Sequence, residues 1–166
     1  MGQTDMIKSG DKLPNLKVWR IDLSGTEQVE LSTWLGTGKI VIFTLPGAYT
    51  PTCHIHHLPG YVANIEKFNK LGVTKIVCAS VNDHYVMKAW ADAHNALGKV
   101  EFLADFDANF ARALGLSRDL SAGGLGERLM RTAIIIQNGL IQDVFVDDKS
   151  GKLTNTGAQS ILGALN

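Results

Sequence analysis

The order of strand-like and helix-like segments predicts an α/β fold, a sandwich in which helices flank a central mixed β-sheet. Three observations predict it. Residues 40–43, 75–81 and 132–136 are strongly apolar runs of strand length, as strands covered on both faces read. The first two are joined by a helical pattern, which gives a β-α-β unit with parallel strands. Asn138-Gly139 separates residues 132–136 from the apolar stretch 140–146 and is the dipeptide favoured in two-residue hairpin turns. The second half is therefore β-β-α, and one mixed sheet follows.

The elements can be taken in order. Residues 16–21 alternate like a strand, 23–27 read as a turn and 28–31 as the partner strand, an N-terminal hairpin. Ser32 is placed to cap a short turn of helix through Trp34 and Leu35. After the strand 40–43, Pro51 suits the first position of a helix and Thr50 its N-cap. Pro59-Gly60 falls about two turns into that helix, where a proline removes one backbone hydrogen bond and collides with the Ile55 carbonyl. A kink is expected, either as curvature around the core or as a device that sets the aim of Cys53. Tyr61, Val62, Ile65 and Phe68 continue at helical spacing. Beyond the strand 75–81, Asn82 or Asp83 caps a helix that turns Tyr85, Val86, Ala89, Trp90 and Ala93 to one side. Residues 100–103 form a short strand, Asp107 caps a helix over 108–114, and 117–127 is a glycine-bearing loop. Residues 158–165 make a terminal helix with Ile161, Leu162 and Leu165 inward.

Composition narrows the function classes. The chain has 166 residues, 45% hydrophobic and 19% charged, with a formal net charge of +0. That fits one domain, spanning 1–166, with a real core. It offers no electrostatic footprint for nucleic acid or a membrane surface. Two cysteines are too few for a disulfide scaffold, and the polar start lacks an apolar signal core, so a reducing, cytoplasmic setting is expected.

The stretch with chemistry in it is Pro46-Gly47-Ala48-Tyr49-Thr50-Pro51-Thr52-Cys53. A strand, a tight turn and a helix start place Cys53 in a first turn, near amide hydrogens without helical partners and at the positive end of the dipole. A thiol so placed loses its proton more readily, and the thiolate is the nucleophile. Free cysteine is often a small buried hydrophobe, and Cys78, inside Ile76-Val77-Cys78-Ala79, reads that way. Cys53 does not, since Thr50, Thr52, His54, His56 and His57 surround it in sequence. His56 and His57 lie three and four residues beyond Cys53 and can flank its sulfur, though a solvated surface histidine is the default reading. The spacing of Cys53, His54, His56 and His57 matches none of the common zinc patterns, and no metal site is expected. An arginine leading into the strand 132–136 is a candidate cation beside the thiolate, and spacing alone does not choose between Arg128 and Arg131.

Pro46-x-x-x-Thr50-x-x-Cys53 resembles the active-site pattern of peroxiredoxins. The longer run through His57-Leu58-Pro59-Gly60 resembles the peroxiredoxin-5 subfamily, as do Gly10-Asp11-Lys12-Leu13-Pro14, Ser80-Val81-Asn82-Asp83, Leu103-Ala104-Asp105 and Leu129-Met130-Arg131. The resemblance implies a thioredoxin-like sandwich with an N-terminal hairpin extension. It implies an antioxidant thiol peroxidase that needs no cofactor and reduces hydrogen peroxide and alkyl hydroperoxides through a sulfenic acid at Cys53. Thr50 would bond the thiolate and the peroxide, Pro46 would shield the sulfur, and Arg131 would stabilise the thiolate and polarise the peroxide. The backbone N–H groups of Thr52 and Cys53 would hold a peroxide oxygen; Thr52 stands where relatives often have glycine, and a backbone donor survives that change. His57 joins Thr52 as a candidate substrate-binding residue.

One departure matters. Some subfamily members carry a resolving cysteine in a segment resembling 153–156, where this chain has Asn155. A one-cysteine enzyme is expected, recycled by an external thiol, either glutathione with glutaredoxin or thioredoxin. The likeness also implies a homodimer packed around the active-site loops. The alternative is a redox sensor or holdase that Cys53 oxidation switches without turnover. A disulfide oxidoreductase is weaker, because Thr50 and His56 occupy the positions three residues either side of Cys53.

Overall fold

The computed structural model describes residues 5–147 and 154–166. A seven-stranded sheet organises them, with an N-terminal hairpin at one edge, three parallel strands in the middle and an antiparallel pair at the other edge. The hairpin β1 (Lys17–Asp22) and β2 (Gly25–Glu30) forms one edge. β3 (Lys39–Leu45), β4 (Val73–Ser80) and β5 (Glu101–Ala104) run parallel in the middle. β8 (Arg131–Gln137) lies antiparallel to β3, and β9 (Leu140–Asp147) closes the other edge through the Asn138-Gly139 turn. The mixed sheet and the thioredoxin-like sandwich are as the sequence leads one to expect.

The apolar runs are explained by burial on both faces. Val41, Phe43 and Leu45 of β3 join one hydrophobic cluster, and Ile40 and Ile42 join the other. Ile76 and Cys78 of β4 alternate in the same way with Val77 and Ala79, and Ala133 and Ile135 of β8 with Ile134 and Ile136. Cys78 is thus a core residue with no exposed surface. The first face is covered by α2 (Leu58–Ala63), α3 (Ile65–Lys70), α4 (His84–Ala93) and α6 (Ala158–Leu165). The second is covered by α1 (Leu31–Leu35) and α5 (Asn109–Ala113).

Several local expectations are corrected. Ser32 does not cap α1: Glu30 holds that position, and the Asn15 side chain takes the Ser32 N–H at 3.0 Å. In α4 the cap is Asp83, whose carboxylate accepts from Val86 N–H at 2.9 Å, and Asn82 is freed for another task. The inward stripe of α4 is Met87, Trp90 and Ala91, while Tyr85 is exposed. Trp90 belongs to both possible stripes and alanine tolerates either side, so spacing alone could not orient this helix. The carboxylate that closes α5 is Asp105, which accepts from Phe110 and Ala111 N–H at 2.9 Å each, while Asp107 takes Asn109 N–H at 3.1 Å. Burial pushes the Asp105 carboxyl up to about 6 despite those two donors. Residues 117–127 are not simply a loop. β6 (Ser117–Asp119) and β7 (Glu127–Leu129) pair antiparallel, three residues each, too short and too charged to announce themselves.

The kink also takes another form. Cys53–His57 winds as a π turn, and α2 starts after it with Pro59 in its first turn. Proline has no N–H to offer the Ile55 carbonyl, and the backbone widens into a π turn just before Pro59. Pro59 then occupies a position where a missing N–H costs nothing.

Candidate active site

β3 delivers the chain to its carboxyl end, where open α/β sheets commonly host their chemistry. Pro46 is buried there. The Ala48 N–H is held by Asn82 Oδ1 at 3.0 Å, and the same oxygen accepts from Ser80 Oγ at 2.7 Å, so the end of β4 braces the loop that leaves β3. A Cβ on Gly47 would lie 2.8 Å from a terminal nitrogen of Arg128, so that guanidinium would have to shift to admit a side chain there. Tyr49 adopts a left-handed backbone, φ 65°, which costs a residue with a side chain about 1–2 kcal/mol.

Thr50 takes the N-cap place by its backbone. Its carbonyl accepts from His54 N–H at 2.9 Å, as an N-cap carbonyl does. Its hydroxyl differs from the expectation: it donates to the Gly47 carbonyl at 2.7 Å. The hydroxyl proton is therefore committed, and the oxygen lone pairs are what Thr50 can offer to a ligand. Thr52 is half-buried in the first turn. Cys53 begins the π turn; its side chain lies outside the described residues.

Arg131 starts β8, the neighbour of β3, with Thr44 opposite Thr132 in register. Thr44 Oγ1 donates to Met130 O at 2.7 Å and lies 2.5 Å from Thr132 Oγ1, which pins the entry of β8 against the end of β3. The Arg131 side chain is only 1% exposed. One of its terminal nitrogens donates to His57 Nδ1 at 2.8 Å. Guanidinium has no acceptor, so Nδ1 must be unprotonated. The ring proton is then on Nε2, which donates to Thr156 O at 3.1 Å. His57 is neutral: burial first, and then the Arg131 cation, lower its pKa to about 3.

His57 is thus no solvated surface histidine. It has no exposed surface, and both ring nitrogens are engaged, one by Arg131 and one by Thr156. His56, its neighbour, is exposed. The two arginines that spacing left open are also separated. Arg131 enters the buried site, whereas Arg128 is half-buried and ties Leu125 O (2.8 Å) to Pro46 O (3.2 Å), bracing the glycine-bearing segment against the turn.

Sequence reasoning missed a second cluster behind the π turn. Trp90 Nε1–H donates to His54 Nδ1 at 3.0 Å, and His94 Nε2 approaches the same nitrogen at 3.1 Å. Because Trp90 can only donate, His54 Nδ1 is the acceptor and His94 supplies the second N–H. The Tyr49 ring stacks on His54 with centroids 5.5 Å apart. Burial, and secondarily His54, lower the His94 pKa. The histidines at 54 and 94 were the available signal, but only the fold joins them. Among the described residues no three His, Cys, Asp or Glu side chains gather as metal ligands.

A central sheet of this topology, a thiol-bearing residue at the first turn after β3 and a buried arginine on the adjacent strand define the redoxin class. The redoxin family pattern matches residues 8–162. The chain is 39% identical over 157 residues to Peroxiredoxin-2C of Oryza sativa subsp. japonica, covering 94% of this chain and 96% of that one. It is 41% identical over 127 residues to the mitochondrial Peroxiredoxin-2F of Arabidopsis thaliana, covering 76% of this chain but only 63% of that longer relative. The structure of reduced Prx3 of Vibrio vulnificus in complex with H2O2 superposes with a TM-score of 0.90 at 39% identity, covering 97% of this chain and 100% of that one. The chain belongs to the peroxiredoxin family.

Proposed function

We propose that this chain is a thiol-dependent peroxidase that reduces hydrogen peroxide and alkyl hydroperoxides with Cys53 as its nucleophile. The observation that carries the reading is the contact of Arg131 with a neutral His57, which fixes a buried cation against the turn that Cys53 begins. A cation there favours the thiolate and draws charge from a peroxide oxygen. The Cys53 thiolate attacks the terminal oxygen, the O–O bond breaks, and the departing oxygen takes a proton to leave as water or alcohol. The sulfur, oxidised by two electrons, becomes a sulfenic acid. Thr50 Oγ1, its own proton given to Gly47 O, accepts a hydrogen bond from the hydroperoxide O–H. Pro46 keeps water from the sulfur, and the first-turn N–H groups of Thr52 and Cys53 hold a peroxide oxygen.

With Asn155 at the place of a resolving cysteine and Cys78 buried in β4, the mechanism is one-cysteine. An external thiol condenses with the sulfenic acid, releasing water, and a second thiol frees Cys53 from the mixed disulfide. Glutathione with glutaredoxin, or thioredoxin, supplies them in a reducing compartment such as the cytoplasm. The enzyme works as a homodimer around the loops that follow β3, β4 and β5. Exposed Tyr49, Tyr85 and Phe106, one after each of these adjacent strands, support that surface.

The test is intact mass after one equivalent of peroxide with a sulfenic-acid trap, alongside turnover with each thiol donor. A single adduct on Cys53, and loss of turnover in Cys53→Ser, are expected. Loss of two hydrogens without an adduct would replace the one-cysteine mechanism with a disulfide. Stoichiometric oxidation without turnover would favour a redox sensor.

A further inference from the structure

We infer that Asp147, and the turn it folds, are positioning residues for Arg131, holding the guanidinium at the Cys53 turn through Thr156 and His57. The inference rests on the peroxidase reading above and adds a part of the machinery at the far edge of the sheet. Asp147 ends β9 directly opposite Arg131 in register and is 2% exposed. Its carboxylate is committed to the returning chain. Oδ1 accepts from Thr154 Oγ1 at 2.5 Å and Asn155 N–H at 2.8 Å. Oδ2 accepts from Thr156 Oγ1 at 2.7 Å, Thr154 N–H at 3.1 Å and Thr156 N–H at 3.2 Å. Burial alone would raise this carboxyl, but the Thr154 and Thr156 hydroxyls and the amide donors outweigh it and hold the pKa below 3.8. The anion is the working form.

Five donors on one carboxylate fix more than a turn. They set the Thr156 carbonyl inward, where it accepts both His57 Nε2–H and Tyr61 Oη–H, the latter at 2.8 Å. That carbonyl decides the tautomer. With an acceptor at Nε2 the imidazole proton stays there, and the Nδ1 lone pair faces Arg131. Without it, Nε2–H is a buried donor with nothing to bond. The alternative tautomer would then set N–H against N–H at a distance of 2.8 Å. Thr156, His57 and Tyr61 have no exposed surface, so water does not substitute for a lost link.

The experiment compares the parent protein with Asp147→Asn, Thr156→Val and Thr156→Ser. The readout is the pH midpoint of Cys53 alkylation by iodoacetamide, mapped by mass, together with the peroxide rate at pH 6. Thr156→Val, which leaves the Asp147 charge in place, should raise the midpoint by about half a unit and so lower the thiolate fraction at pH 6 by up to about threefold; Asp147→Asn should raise it by less, because it also removes an anion. Thr156→Ser, which keeps the hydroxyl, should match the parent. A purely structural turn would lower the melting temperature and leave the midpoint alone, and that result overturns the inference. Thr156→Val removes one hydrogen bond and keeps the backbone groups, so it decides the matter even where Asp147→Asn does not fold. In an Arg131→Met background, Thr156→Val, which leaves the Asp147 charge in place, should shift nothing further, and an added shift would also overturn the route through Arg131. If instead the parent's Cys53 neither titrates below its ordinary range nor consumes peroxide, the peroxidase reading fails, which is a different result.

Discussion

Replacing His57 by glutamine should flatten the acid limb of this protein's stability. His57 packs against Phe43 and Tyr61, receives Arg131 on one nitrogen and gives a proton to Thr156 on the other. Its folded pKa is about 3 against an ordinary 6.5; burial and Arg131 favour the neutral ring, while Thr156 and Asp147 favour the charged one and lose. A histidine held neutral contributes stability above its unfolded pKa and loses it as pH falls toward the folded one, because the unfolded chain takes the proton first. Between pH 7 and pH 5 the loss is about 2 kcal/mol, approaching about 5 kcal/mol below pH 3. In a chain of this size, about 2 kcal/mol corresponds to roughly 4–8 °C in melting temperature. Glutamine can accept from Arg131 and donate to Thr156 without titrating. Urea unfolding of both proteins at pH 7 and pH 5 gives the comparison, read as the difference in pH dependence so that any fixed cost of the substitution cancels. Parallel pH dependences in parent and variant would refute the assignment of a buried neutral imidazole.

Other outcomes follow from the same structure. Asp105→Asn should remove a slope of opposite sign. The Asp105 carboxyl is raised to about 6, so its contribution is fully present below 3.8 and is lost as pH rises through 6. That amounts to about 3 kcal/mol by pH 7, and unfolding at pH 4 and pH 7 measures it. Arg128→Met cuts the tie between Leu125 and Pro46 and should change the ratio of rates for cumene hydroperoxide and hydrogen peroxide by severalfold. An unaltered ratio would remove the 120–126 segment from substrate selection. His54→Ala leaves the Trp90 N–H without its acceptor and should cost about 1–3 kcal/mol in urea unfolding. Leu125→Ala, which keeps the carbonyl that Arg128 uses, should change the hydroperoxide ratio less than Arg128→Met.

The sheet was legible because its central strands are covered on both faces and so are written as apolar runs. The site's first turn was legible because Pro51 and Thr50 have local jobs. What resisted reading depends on contacts distant in sequence. Asp105 and Asp107 are equally good caps on paper, and only burial selects Asp105 for Phe110 and Ala111. His57 looks like one of three exposed histidines until Arg131 and Thr156 close on it. The π turn stands just before Pro59, whose missing N–H a kink and a widened turn answer equally well. Arg128 and Arg131 differ in sequence by nothing that spacing can weigh; their contacts separate them, Arg131 reaching His57 and Arg128 the Leu125 and Pro46 carbonyls.

The arginine comes from β8, the imidazole from the turn after β3, and the carbonyl that orients it from the segment after β9. A growing chain therefore presents Cys53 before Arg131 and Thr156 have been added. On the proposed function, its sulfur is then an ordinary thiol, poorly matched to peroxide. Only completion of the sheet arms it. Rapid reaction with oxidant is in this sense a certificate of folding, and a refolding experiment followed by peroxide consumption reads the moment when these three segments have come together.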